Sequence, residues 1–254
     1  MTVTPPVGVS LQARGQLCEP EVEQVQALVA AATDADGVAP LSEHVLLHLR
    51  HGGDAPGRNV LARSRDRLVG YAHVDTTHRV EGASAELLVH PDVRGRGIGR
   101  ALGQAAIAAS PDGRLRLWAH GEHPAAARLA TALGFRRARV LWQMRRSLYA
   151  PLPPVALPDD VTVRTFRPGA DEDAFLRVNA RAFADHPEQG WWTRRALEAR
   201  MHEPWFDPGG FFLAERGGEI VGLHWTKVHG GGTPGGLPHG HEPIGEVYVV
   251  GVDP

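Results

Sequence analysis

The sequence predicts a duplicated α+β fold, two domains each built as a mixed sheet with packed helices. Three observations predict it. Residues 149–158, YAPLPPVALP, hold four prolines in ten residues and read as a semi-rigid linker, because proline removes backbone donors and disfavours helix before it. Similar pairs of apolar strands lie on either side: RLVGYAHVD with AELLVHP before the linker, EIVGLHWTKVH with GEVYVVGVDP after it. Their Val-Gly steps are 152 residues apart (Gly70 to Gly222), and the glutamates near the start of the second strands, Glu86 and Glu246, are 160 apart, so the second connection is eight residues longer. The third observation is a glycine-rich loop between a strand and a helix, residues 90–106. The expected domains are residues 1–148 and 159–254, joined by the linker.

In the first domain Val22, Val25, Leu28 and Val29 recur at helical spacing, which predicts a helix over 20–32, and residues 41–50 give a second. Strands follow at 59–64, 67–75 and 85–89. Ile98, Leu102, Ala105 and Ala109 share a helix face, and Pro111 stops that helix. Residues 115–119 predict a buried strand, 124–133 a short helix ended by Gly134, and 138–145 a last strand. The second domain predicts a strand at 161–166, helices near 172–184 and 193–202, and strands at 210–216, 220–228 and 246–252. Pro254 stands where Pro91 stands in the first copy, so the second domain is expected to be incomplete, without its own loop, following helix and closing strands.

Composition excludes several classes of function. In 254 residues, 27 Lys and Arg face 29 Asp and Glu, for a net charge of −2; a nucleic-acid or anionic-membrane binder needs a basic surplus. The one cysteine, Cys18, rules out an intrachain disulfide framework and a cysteine-cluster metal site, and is expected to be a packing residue. The first residues carry neither a basic n-region nor an apolar h-region, and no stretch approaches the roughly 20 apolar residues that span a bilayer. A cytoplasmic monomer is the expectation. Lys227 is the sole lysine among the 27 basic residues, a hint that a compact ammonium is needed there.

The segment HPDVRGRGIGRALGQAA carries the most chemistry. Gly95, Gly97 and Gly99 let backbone amides approach a ligand, the first helical turn offers unpaired N–H groups, and Arg94, Arg96 and Arg100 add positive charge. There is no Gly-Lys-[Ser/Thr] of a Walker loop, and the glycines do not follow the dinucleotide GxGxxG spacing. Val-His-Pro-x-x-Arg-Gly-x-Gly-Ile-Gly resembles the acetyl-CoA pyrophosphate loop of the GCN5-related N-acetyltransferases (GNAT), and Leu133-Gly134-Phe135 resembles that family's final helix-to-strand turn. Over nearly the whole chain, the segments WAHGEHPAAARLATALGF, RAFADHPEQGWWT, GLHWTKVH and GEVYVVGVDP resemble the tandem GNAT enzymes of mycothiol biosynthesis.

The resemblance implies tandem GNAT-like domains and transfer of acetyl from acetyl-CoA to the cysteinyl amine of cysteinyl-glucosaminyl-inositol, a small thiol-sugar. It implies that Leu87, Leu88, Val89, Val250, Gly251 and Val252 contact acetyl-CoA through strand backbone. Gly95, Arg96, Gly97, Ile98, Gly99 and Arg100 would hold the pyrophosphate. Glu43, Glu188, Lys227 and Glu246 match substrate contacts, and Glu246 is the candidate general base, while the general acid is expected beyond residue 254. Alternatives stay open at this point: a GNAT enzyme for another amine, such as a protein N-terminus or an aminosugar, or a truncated CoA-binding protein without activity. Glu188 also reads as a helix start, Lys227 as a solvated strand end, and Glu86 and Glu246 as one shared structural position. His229, His239 and His241 flank a Gly/Pro-rich loop with spacing too irregular for a metal site, so none is expected, and Trp191, Trp192, Trp205 and Trp225 read as core or pocket wall.

Overall fold

Strand alternation gives the first sheet two differently occupied faces. Strands β1 (Val9–Arg14), β2 (Arg58–Ser64), β3 (Arg67–Asp75) and β4 (Ala83–Val89) pair antiparallel in that order, and β5 (Leu115–Leu117) adds parallel to β4. The structure is a computed structural model in which residues 3–52, 58–77, 82–186, 189–190, 192–229 and 243–254 are described. The chain divides into two units, residues 1–142 and 143–254.

In the first unit, α1 (Glu19–Asp36) and α2 (Glu43–His51) cover one sheet face: Val25, Leu28 and Ala32 of α1 and Val45 and Leu49 of α2 pack with Leu61, Tyr71 and Leu88. The opposite face presents Val60, Ala62 and Ala72 to Ile98 and Leu102 of α3 (Ile98–Ala109). Covered on both sides, β3 is buried from Leu68 to Asp75, the reason its sequence is an apolar run and not an alternation. Helix α3 approaches so closely that a Cβ at Gly70 would lie 2.9 Å from Leu102 Cδ1. The helix α4 (Pro124–Ala132) completes the unit.

The second unit repeats the plan. Strands β6 (Val161–Thr165), β7 (Phe211–Arg216), β8 (Glu219–His229) and β9 (Ile244–Val252) form an antiparallel sheet in that order. Helices α5 (Glu172–Ala182) and α6 (Arg194–Met201) contribute Phe175, Val178 and Leu197 to a core with Phe211, Leu213 and Trp225. The copies agree in detail. The β2–β3 ladder breaks register between Ala62 and Arg63 and the β7–β8 ladder between Ala214 and Glu215, and the pairs Ala62↔Gly70 and Ala214↔Gly222 keep the 152-residue offset.

The structure corrects five expectations. Residues 138–145 form no strand; Leu141, Trp142 and Met144 are 70%, 82% and 90% exposed. An alternating pattern supplies faces for a strand but not the ladder partner a strand requires, and β5 is only three residues long. That β5 is also shorter than expected and half-buried, not buried. Strand β1 lies outside the expected elements, although VSLQAR alternates apolar and polar residues strictly; its ladder with β2 defines it. Cys18 is exposed rather than packed: it is the N-cap of α1, and its backbone N–H donates to Glu21 Oε2 at 3.2 Å. Finally, Glu86 and Glu246 are not equivalent: Glu86 pairs with His73, Glu246 with Lys227, and the residue matching His73 in the second copy is Trp225, opposite Val249. The segments Leu87–Val89 and Val250–Val252, by contrast, do correspond, since Gly70↔Val89 repeats as Gly222↔Val252.

Candidate active site

The glycine loop is shaped by left-handed backbone. Gly95 and Gly97 have φ of +75° and +85°, and Gly97 caps α3. The first intrahelical bond runs from Ala101 N–H to Gly97 O at 3.1 Å, which leaves the amides of Ile98, Gly99 and Arg100 without a helical acceptor. A Cβ at Gly95 would meet nothing within 4 Å, so the loop there faces open space. The loop is braced from behind. Arg94 forms a fork with Asp36, Nη1 to Oδ1 and Nη2 to Oδ2 each at 2.7 Å, and donates Nε–H to Val89 O at 3.1 Å. That fork, first among the influences on it, holds the Asp36 carboxyl below the usual carboxylate range. Arg94 is therefore a structural anchor, and Arg96 and Arg100 are the exposed charges of the loop.

Strand β4 opens towards this loop. Its pairing with β5 covers only Ala83 to Ala85, and Ala85 O accepts from Trp118 N–H at 3.0 Å. Backbone groups alternate along a strand, so the N–H and C=O of Leu87 and Val89 point to the side β5 has left, while Leu88 pairs with Tyr71 of β3. An extended amide-bearing chain fits such an opening by backbone hydrogen bonds, and the amides at the start of α3 fit an anion.

Beside it lies a polar cluster that reading the sequence missed. Buried Glu86 accepts from Ser42 N–H at 2.6 Å, and its Oε2 is 3.4 Å from His120 Nε2. Burial, the largest influence, pushes Glu86 up, but the hydrogen bonds from His120 and Ser42 outweigh it and hold the carboxyl below its ordinary value. His44 pairs with Asp75 at 3.7 Å, and the His48 and His73 rings are 4.9 Å apart. Burial and the neighbouring His48 push the His73 imidazole down to about 4. The signal was available: Tyr71, His73 and Asp75 recur at every second residue of an otherwise apolar strand, on one face. Glu43 opens α2 next to Ser42 and so belongs to this first-unit region.

In the second unit the ladder sets Lys227 directly opposite Glu246. The Lys227 ammonium lies 4.1 Å from the Trp205 ring centre and 5.4 Å from that of Tyr248. Tyr248 Oη accepts from Arg200 Nε–H at 2.8 Å, and the Arg200 guanidinium sits 4.0 Å over Trp192. Trp225 is fully buried in the core. On the same sheet face, His229 Nε2 is 2.6 Å from Glu246 Oε2. Val250 and Val252 are exposed on β9. Glu188, Trp191, His239 and His241 lie outside the described residues. No group of three or more His, Cys, Asp or Glu suited to a metal occurs among the described residues, and none of their helices is long and apolar enough to cross a membrane.

Comparison with known proteins gives this geometry a family. Residues 56–137 match the acetyltransferase (GNAT) domain. The mycothiol acetyltransferase of Acidothermus cellulolyticus is 60% identical, over 100% of this chain and 79% of that protein. The chain belongs to the mycothiol acetyltransferase family. The mycothiol acetyltransferases of Streptosporangium roseum and Salinispora tropica are each 52% identical, over 95% and 100% of this chain and 81% and 80% of their own lengths. Among solved structures, a GCN5-related N-acetyltransferase from Sphaerobacter thermophilus matches 98% of this chain and 78% of its own, with a TM-score of 0.63 and 27% identity. A tandem GNAT protein of the clavulanic acid pathway matches 96% of this chain and 79% of its own at 0.65 and 20%, a likeness of fold alone. The fold class is thus α+β, in the tandem GNAT arrangement, and the match to mycothiol acetyltransferases takes in both units.

Proposed function

We propose that this chain transfers acetyl from acetyl-CoA to the cysteinyl amine of cysteinyl-glucosaminyl-inositol, an acyl transfer in mycothiol biosynthesis. The observation that carries the reading is the 60% identity to a mycothiol acetyltransferase over the full length of the chain. GNAT acetyltransferases use acetyl-CoA, and the first unit fits it. The amides of Ile98, Gly99 and Arg100, with Arg96 and Arg100 as charges, suit the pyrophosphate, and on β4 the outward backbone groups of Leu87 and Val89, on either side of Leu88, suit the pantetheine arm. Val250, Gly251 and Val252 take the same role on β9.

For the chemistry we assign Glu246 as base. The acceptor arrives as an ammonium; its N–H bond breaks, the electron pair stays on nitrogen and the proton passes to the carboxylate, directly or through one water. The neutral amine then forms the C–N bond as the thioester C–S bond breaks with its pair leaving on sulfur, and the second proton lost by the nitrogen goes to the departing thiolate, giving amide and CoA thiol. Lys227, held over Trp205 and Tyr248, offers a point donor to sugar or inositol hydroxyls, Glu188 is a further proposed acceptor contact in the second unit, and Glu43 is one proposed in the first. Glu246→Gln keeps size and shape but cannot take a proton. It should lower kcat by roughly a hundredfold in a thiol-coupled acetyl-transfer assay; undiminished kcat would remove Glu246 as base. Lys227→Met should raise the acceptor KM with little change in kcat, as expected for lost ground-state binding.

A further inference from the structure

We propose that His229 is a positioning residue for Glu246, a role that rests on the reading of Glu246 as base. The contact is short, His229 Nε2 to Glu246 Oε2 at 2.6 Å. An ionised carboxylate has only acceptors, so the imidazole donates through Nε2–H. The ladder explains the meeting. Lys227 pairs with Glu246 and His229 with Ile244, so alternation lifts Lys227, His229 and Glu246 onto one face, with His229 the diagonal neighbour of Glu246.

A holder is needed because Glu246 is half-exposed, its side chain at 47%. A surface glutamate samples many rotamers, and a base acts efficiently only when held within reach of the proton it removes. With Oε2 engaged by the imidazole, proton uptake is assigned to Oε1, on a carboxylate whose strand position lies opposite Lys227. His229 itself gains and loses nothing in the reaction; it sets the geometry.

The test compares His229→Ala, His229→Gln, Glu246→Gln and the double variant His229→Ala/Glu246→Gln in the whole chain. His229→Ala should lower kcat about tenfold, the kinetic equivalent of one hydrogen bond to a charged group, with acceptor KM unchanged within about twofold. Gln presents an N–H donor near the position of Nε2, so His229→Gln should recover most of the loss. In the Glu246→Gln background, His229→Ala should cost nothing more, because the two act as a unit. Independently of turnover, long-range proton–nitrogen NMR should show His229 protonated at Nε2, with a signal that moves in Glu246→Gln. Four results would overturn the proposal: wild-type kcat in His229→Ala, no recovery in His229→Gln, an undiminished further loss in the double variant, or a His229 signal indifferent to Glu246→Gln. Full activity of Glu246→Gln would overturn the base reading and this proposal with it. An impaired Glu246→Gln beside an unimpaired His229→Ala would remove only the positioning role.

Discussion

His73 is the residue where burial and protonation are most strongly coupled. It sits on β3 against His48, hydrogen-bonded through the Asn59–Tyr71 pair, with Asp75, Glu86 and His44 nearby. An exposed imidazole titrates near 6.5, whereas His73 in the fold is pushed down to about 4. Between those values the unfolded chain holds a proton that the folded chain does not, so stability is full above about pH 6.5 and falls as pH drops towards 4. Over that window the loss amounts to about 3 kcal/mol. Asp75 and Glu86, both held below their ordinary values, act lower: their contribution is present above about pH 4 and lost as pH falls through their folded values. Urea midpoints measured at pH 7, 6 and 5 should therefore decline, and His73→Gln should flatten that slope; a flat wild-type profile would contradict the assignment. This cluster was legible in principle from Tyr71, His73 and Asp75, but what made it a cluster, Glu86 across the ladder and His120 after β5, depends on tertiary contacts.

At the scale of elements, the loop into α3 is the best-determined feature, and it was the one most legible in the sequence. Glycines at fixed spacing announce left-handed backbone, and Gly95 and Gly97 adopt it. Gly97→Ala places a Cβ where L-residues are disfavoured by about 1–2 kcal/mol. It should weaken acetyl-CoA binding roughly tenfold by calorimetry while circular dichroism stays unchanged; unaltered affinity would count against this loop as the pyrophosphate site. What the sequence could not show was which loop arginine is free. Arg94, Arg96 and Arg100 look alike in a string, and only the fold brings Asp36 of α1 against Arg94. The same limit explains residues 138–145, where local pattern named a strand that has no ladder to join.

At the scale of the molecule, duplication orders the account. The Val-Gly offset of 152 survives as a repeated register and a repeated ladder irregularity, so the copies were readable before any fold was known. The glutamate offset of 160 was misleading because the ladders set β4 and β9 163 residues apart (Val89 to Val252), so Val249 and not Glu246 matches Glu86, and the second connection is longer than the glutamates implied. The copies differ chemically: His73 faces Glu86 in one, where the other has Trp225 facing Val249 and sets Lys227 opposite Glu246 further along the ladder. Residues 136–147 carry no regular structure, and mild trypsin should cut first among Arg136, Arg137, Arg139, Arg145 and Arg146, as mass spectrometry of early fragments would show. The central claim is amine acetylation, and the direct measurement is the product formed from acetyl-CoA and cysteinyl-glucosaminyl-inositol. The expected product is acetylated on nitrogen, and its thiol still reacts with a thiol reagent. A thioester product, or acceptor left unmodified while acetyl-CoA is bound, would contradict it.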